Sequence, residues 1–239
     1  PEIYLHPSAA NQMRNTIYEL SGEGSQIVAT THSPFIIDLS RKPRQILNNL
    51  SIRDNNIVVN PFSVSDAYRK LEDDDQAYVK MLLRIDAHIA RVFFTKHVVI
   101  IEGDTEEVLI SETLKRLPLE KYLNIASNFE IVKARGKASI IGLAKYLMAM
   151  GIAPIIVHDR DKGTKDAEKY NTPIAAAVCG KAKVIQMCEN IEDEVGYCAP
   201  SSEKPFKAFQ EAMKWTDWAS IPVKWKSKMI EIFEDYIKD

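Results

Sequence analysis

Glycine is scarce in this chain, nine residues in 239, and no G-x-x-x-x-G-K-[ST] run occurs, so no phosphate-cradling P-loop lies within it. Cysteine is scarcer. Cys179, Cys188 and Cys198 are odd in number and spaced nine to ten residues apart, which matches neither a zinc site nor a disulfide framework and fits a reducing cytoplasm. Apolar runs of about eighteen residues are missing, and no charged-then-apolar leader opens the chain, so neither a membrane span nor a secretory signal is expected. An excess of one charge is missing too, with 31 Lys and Arg against 33 Asp and Glu. That balance gives no global sign of a nucleic-acid partner, although a metal-centred site can bind phosphate without a basic surface. The chain opens on Pro1 rather than Met and is expected to be a fragment of something longer.

Hydrophobic residues make up 46% and charged residues 27%, enough for one large or two small domains with ordinary cores. Two stretches organise the reading: Val98-Val99-Ile100-Ile101-Glu102-Gly103-Asp104-Thr105-Glu106-Glu107 and Ile155-Ile156-Val157-His158-Asp159-Arg160-Asp161. Each begins as a β-branched run suited to a strand covered on both faces, and each ends in carboxylates, where open α/β sheets place their chemistry. Glu102 closes the first strand, Gly103 allows a turn, and Asp104 or Thr105 caps a helix through Val108, Leu109, Thr113 and Leu114. Glu106, in the first turn, can then converge with Glu102. In the second run, period-two alternation points Asp159 and Asp161 the same way and Arg160 elsewhere. Four carboxylates meeting at one point need a cation, and hard oxygen donors select Mg²⁺, Mn²⁺ or Ca²⁺ over zinc. The reaction class that uses such a cluster is phosphoryl transfer, with two ions about 3.5–4 Å apart. The competing reading makes each acid a solvated turn residue.

A second strand is expected at Phe129–Lys133, followed by a helix from Ser139 to Met150 that stops at Gly151. Gly136-Lys137 at that turn could cradle a phosphate. The third strand is expected over Pro154 to Asp161, with an exposed loop at Lys162–Asp166. A fourth, Val184–Cys188, leads into the acids Glu189, Glu192, Asp193 and Glu194, of which Glu189 and Glu194 read as solvated.

Towards the N-terminus the pattern gives a strand end at Glu2–Leu5 and a helix opened by Pro7 and Ser8, with Met13, Ile17 and Leu20 inward and Gly22 as its stop. A strand at Gln26–Thr30 follows, then Ser33 as N-cap before Pro34, which leaves His32 at the junction. Arg41-Lys42-Pro43-Arg44 reads as a turn, and Gln45–Leu50 and Asn56–Val59 as two strands around Asp54-Asn55-Asn56. Residues 63 to 95 lack glycine and proline and carry Tyr78, Met81, Leu82, Ile85, Ile89 and Val92 at helical spacing, as a connector, a dimerisation stripe or a core face. The tail from Ser201 should be helical. Its Trp215, Trp218 and Trp225, interleaved with lysines, suit either base stacking or core anchoring.

A hydrophobic strand ending in Glu-Gly, an acidic helix start, and about fifty residues later a strand ending in Asp-x-Asp resembles the Toprim domain of topoisomerases, primases and OLD-family nucleases, over about residues 98 to 195. Pro1-Glu2-Ile3-Tyr4-Leu5-His6-Pro7 with Ala29-Thr30-Thr31-His32-Ser33-Pro34 resembles the end of an ABC-type ATPase head. There the segment matching Pro1 to Pro7 follows the Walker B acids, and the histidine matching His32 senses the γ-phosphate of ATP. This resemblance implies ATP binding only in a longer parent, and this chain is not expected to hydrolyse ATP. OLD-type Toprim domains carry an additional metal-coordinating carboxylate at the third acidic locus, matched first by Glu192 and then by Asp193. They also carry a functional lysine beyond it, matched by Lys204, which Pro205 should hold out of a helix.

Together these imply the C-terminal region of a class 2-like OLD-family protein. The expected fold is α/β, a Toprim domain with a mainly parallel, Rossmann-like sheet flanked by helices. The expected divisions are 1–62, an ATPase remnant; 63–95, a helical connector; 96–200, the Toprim domain; and 201–239, a helical extension. The implied activity is a DNA endonuclease, with Glu102, Glu106, Asp159, Asp161 and one of Glu192 or Asp193 holding two Mg²⁺ or Mn²⁺ ions, Ca²⁺ also able to bind, and Lys204 neutralising the phosphate. DNA is the expected partner and a homodimer the expected state of the full-length protein. A catalytically silent Toprim assembly module is the alternative, and a small-molecule phosphotransferase a third reading.

Overall fold

A computed structural model of the chain describes residues 5–39, 45–86 and 89–238. The strand end read at Glu2–Leu5, apart from Leu5, and the turn at Arg41–Arg44 lie outside the described residues. Two compact units form, Pro1–Phe94 with Ala149–Gly151, and Thr95–Met148 with Ile152–Asp239.

In the first unit, α1 (Pro7–Gly22) starts with Pro in its first turn, where no N–H is needed, and His6 accepts a bond from the Ser8 N–H. The Tyr18 hydroxyl accepts from the Asp38 N–H at 3.1 Å and ties α1 to the chain after the 3₁₀ turn Pro34–Ile36, which Ser33 caps. The strand expected at Gln26–Thr30 does not form: a strand exists only through a partner ladder, and among the described residues none pairs with it, so Val28 stands 87% exposed. β1 (Ile46–Arg53) and β2 (Asn56–Ser63) make an antiparallel hairpin with Ile52 opposite Ile57 and Leu50 opposite Val59. Asp54 and Asn55 both adopt positive φ, 49° and 62°, as a two-residue turn demands. The segment from 63 onward is helical in pieces: α2 (Val64–Arg69), α3 (Asp73–Ile85) and a 3₁₀ turn Ile89–Phe93. In α3 the buried apolar residues are Val79 and Leu82, while Tyr78, Met81 and Ile85 of the expected stripe are exposed.

The second unit is α/β. Its sheet runs β4 (Phe129–Lys133), β3 (His97–Ile101), β5 (Ile155–His158), β6 (Lys183–Gln186), all neighbours parallel. Around it lie α4 (Asp104–Leu114), α5 (Leu119–Asn128), α6 (Lys137–Ala149), α7 (Lys165–Glu168), α8 (Asn171–Val178), α9 (Ile191–Val195), α10 (Lys204–Ala212) and α11 (Val223–Phe233). β3 is buried through Val98, Val99, Ile100 and Ile101, which is why its residues are β-branched without alternation. The core joins Val99, Ile101, Leu109, Val157, Ile185, Trp225 and Phe233. Trp225 is fully buried, and its indole N–H donates to Thr113 Oγ1 at 2.7 Å. Arg116 of the α4 end donates to the Ala212 and Trp215 carbonyls at 3.1 and 3.3 Å, closing the C-terminal end of α10. Trp215 and Trp225 are thus buried core anchors, and Trp218 is partly buried against the same core. Among the described residues, no helix is long and apolar enough to cross a membrane.

Candidate metal centre

The carboxyl ends of β3, β5 and β6 lie side by side and carry the acids. β3 ends at Ile101, so Glu102 is the first residue beyond it, and the Asp159 backbone N–H bonds to its carboxylate. Gly103, rather than Asp104 or Thr105, is the N-cap of α4, and its N–H donates to Glu106 Oε2 at 3.1 Å. That bond turns Glu106 back over the β3 end and leaves it 5% exposed.

The Asp-x-Asp segment departs from the expected alternation. β5 stops at His158, and Asp161 sits in the left-handed region at φ 55°. The cause is local: the N–H groups of Arg160 and Asp161 both donate to the Glu189 carbonyl, at 2.8 and 3.0 Å, curling the segment around the β6 end. Asp161 is brought to the cluster by this turn, where its Oδ2 meets Lys137 Nζ at 2.8 Å. Lys137 heads α6, two residues earlier than the expected helix start, and its ammonium is held by Asp161 rather than free for a phosphate.

At the β6 end Asn190 caps α9 by accepting from the Asp193 N–H at 2.9 Å. Glu192 is 1% exposed and Asp193 is exposed, so burial sets Glu192 with the other acids and Asp193 apart from them. Glu194, expected to be solvated, is buried because its Oε1 accepts the Cys188 N–H at 2.7 Å. Lys204 is the first residue of α10 and not outside it, since Pro205 is tolerated in a first turn. Its Nζ lies 3.4 Å from Glu192 Oε1. His32 is exposed, in the first unit, at the start of the Ser33-capped turn.

The charges of these acids act on one another. Burial first, then Glu106 and Asp161, push Glu102 up to about 7. Asp159 goes up to about 8, through burial and then Glu106, Glu102, Asp161 and Glu192. Burial likewise raises Glu106, with Glu192 adding to it and the Gly103 N–H opposing. Glu102 Oε2, Asp159 Oδ1 and Glu192 Oε2 are buried with no hydrogen-bond partner. Buried carboxylate oxygens without a partner are costly unless a proton or a cation satisfies them. An all-oxygen set of this kind fits a hard divalent ion. The fit is of donor type and charge only: among the described residues no group of three or more His, Cys, Asp or Glu is placed so that it could hold a metal ion.

Tyr197 was not singled out by its sequence, where it is only the residue after Gly196. Its N–H donates to the Glu192 carbonyl at 3.0 Å, and its buried hydroxyl has no partner. Burial, then Glu192, Glu211, Glu106 and Asp159, push its ionisation well above the ordinary tyrosine range. It therefore stands at the acids as a protonated donor.

Comparison with known proteins adds an independent line. Residues 93–161 match the family described as "Overcoming lysogenization defect protein-like, TOPRIM domain", and residues 1–37 match an AAA ATPase domain. Over 162 residues the chain is 26% identical to a protein named Old nuclease of Escherichia phage P2, covering 67% of this chain and 26% of that protein. The chain thus spans about a quarter of the length of this curated relative. Part of the unit that holds the carboxylate cluster, residues 93–161, is thus similar to an OLD-like TOPRIM domain, and residues 1–37 are similar to an AAA ATPase domain.

Proposed function

We propose that this unit is a divalent-metal-dependent endonuclease that hydrolyses DNA phosphodiester bonds, coupled in a longer protein to an ATPase. The observation that carries the reading is the orphaned trio Glu102 Oε2, Asp159 Oδ1 and Glu192 Oε2, drawn from three strand ends. The similarity to a protein named Old nuclease supports the reaction class. Glu102, Glu106, Asp159 and Glu192, with Asp161 beside them, would hold two Mg²⁺ or Mn²⁺ ions, and Ca²⁺ could take the same places; Asp193, being exposed, is left out of the set. Bound there, such ions supply an activated water and neutralise charge on the leaving oxygen.

The chain's own groups do the rest. The Gly103 N–H fixes the Glu106 carboxylate towards the pocket. Lys204, its side chain half exposed while it leans on Glu192, can swing to a phosphate oxygen as negative charge develops there. The Tyr197 hydroxyl, buried and without a partner, is a further hydrogen-bond donor near these acids. His32 would sense ATP only in the longer protein, and with no P-loop in the sequence the chain itself should not hydrolyse ATP. A homodimer is the proposed state of that longer protein.

Supercoiled plasmid incubated with the chain and Mn²⁺ or Mg²⁺ should be nicked or linearised, and Asp159→Ala should abolish this. Cleavage that persists both in Asp159→Ala and in excess EDTA would end the reading. A silent assembly module is favoured by one observation, the exposed apolar residues Ile46, Leu50, Ile52, Ile57 and Val59 of the hairpin. A stable dimer by light scattering, with no cleavage under any divalent ion, would carry that alternative.

A further inference from the structure

Lys137 is a charged side chain 3% exposed, and it faces acids rather than solvent. Its place is set from both sides. Ala134 N–H donates to the Ile101 carbonyl at 2.9 Å and Gly136 N–H to the Glu102 carbonyl at 3.0 Å, pinning the β4–α6 turn against the β3 end. Arg135 at φ 58° and Gly136 at φ 122° then turn the chain so that Lys137 opens α6 pointing inward. Opposite, Asp161 is held in its left-handed turn by the Glu189 carbonyl. The 2.8 Å pair joins the ends of β4 and β5 across β3, the strand between them, whose end carries Glu102.

We propose that Lys137 is a positioning residue that acts as a resident counter-cation of the carboxylate cluster: it occupies the Asp161 carboxylate and competes with a divalent ion for the acids. This rests on the metal-site part of the proposed function. A buried ammonium this close offsets part of the mutual repulsion of Glu102, Asp159 and Asp161, so the pocket stays assembled before an ion arrives. The same charge opposes the ion electrostatically, and the pair keeps one potential oxygen donor occupied.

The two effects have opposite signs, which separates this role from plain packing. Lys137→Met should lower the melting temperature of the ion-free protein by several degrees and yet bind Mn²⁺ more tightly, by roughly tenfold, for loss of one nearby positive charge. Calorimetric titration with MnCl₂ and thermal denaturation in EDTA read both quantities without reference to cleavage. Lys137→Arg, which keeps the charge, should bind Mn²⁺ within about twofold of the parent chain. Adding Asp161→Asn to Lys137→Met should erase most of the tightening, because the released carboxylate is then gone. Unchanged or weaker Mn²⁺ binding in Lys137→Met overturns the proposal, as does a fully additive double variant. If Lys137→Met does not fold, Lys137→Gln is judged by the same titration. Failure of the parent chain to bind Mn²⁺ or Ca²⁺ at all falls on the metal site itself, which keeps the two failures distinct.

Discussion

At the scale of single residues, the pocket is a store of protons. Glu102 and Asp159 hold theirs up to about pH 7 and 8 in the folded state, against ordinary values of 4.5 and 3.8. Between those limits the folded chain binds more protons than the unfolded one, so stability falls as pH rises through that window. Thermal denaturation in EDTA should therefore show a melting temperature that declines from pH 5 to 9, and Asp159→Asn should flatten the decline. Mn²⁺ binding should release protons near neutral pH, visible as a buffer-dependent heat in calorimetry. A raised acid has the opposite sign to the salt-bridged carboxylates of most proteins, so a flat or rising profile would refute the shared pocket. Tyr197 gives a second test at this scale. Removing a buried hydroxyl that has no partner should leave stability unchanged or raise it by up to about 1 kcal/mol in Tyr197→Phe, while cleavage falls if that hydroxyl serves substrate.

At the scale of elements, packing against the sheet sets the energetics. Trp225→Ala removes the largest fully buried side chain of the core and its bond to Thr113. The expected cost is about 3–5 kcal/mol in chemical denaturation. In the hairpin, Asn55→Gly should be neutral or stabilising by up to about 1 kcal/mol, since Asn55 already sits at φ 62°. The same elements show what a sequence can disclose. Phe129–Lys133 was legible to the residue, because Phe129, Ile131 and Val132 form a short strand-like stretch that stops at Ala-Arg-Gly. The strands that lead into the acids were legible at β3 and β6 for a similar reason, although β6 runs Lys183–Gln186 and stops two residues short of the expected Cys188. The Asp161 turn was not, because it is made by one carbonyl, that of Glu189, nearly thirty residues away. Nor was the strand at Gln26–Thr30 open to correction from its pattern, since its absence reflects the lack of a neighbour among the described residues. The burial of Glu194 likewise depends on one backbone N–H, at Cys188, that no spacing rule names.

At the scale of the whole molecule, the two units differ in how fully each closes on itself. All members of the large apolar core, from Val99 to Ile237, belong to the second unit. A fragment starting at Thr95 should therefore unfold cooperatively and still bind Mn²⁺, as circular dichroism with titration would show. The first unit carries a hairpin whose Ile46, Leu50, Ile52, Ile57 and Val59 share one exposed face. A two-stranded sheet is marginal by itself in water. Inside a cell, a greasy ribbon left bare is what quality-control machinery recognises, so the lifetime of this polypeptide should depend on whether something sits on those five side chains. Turning Ile52 into lysine would then lengthen its half-life when it is expressed alone, a change a simple chase of protein levels could follow.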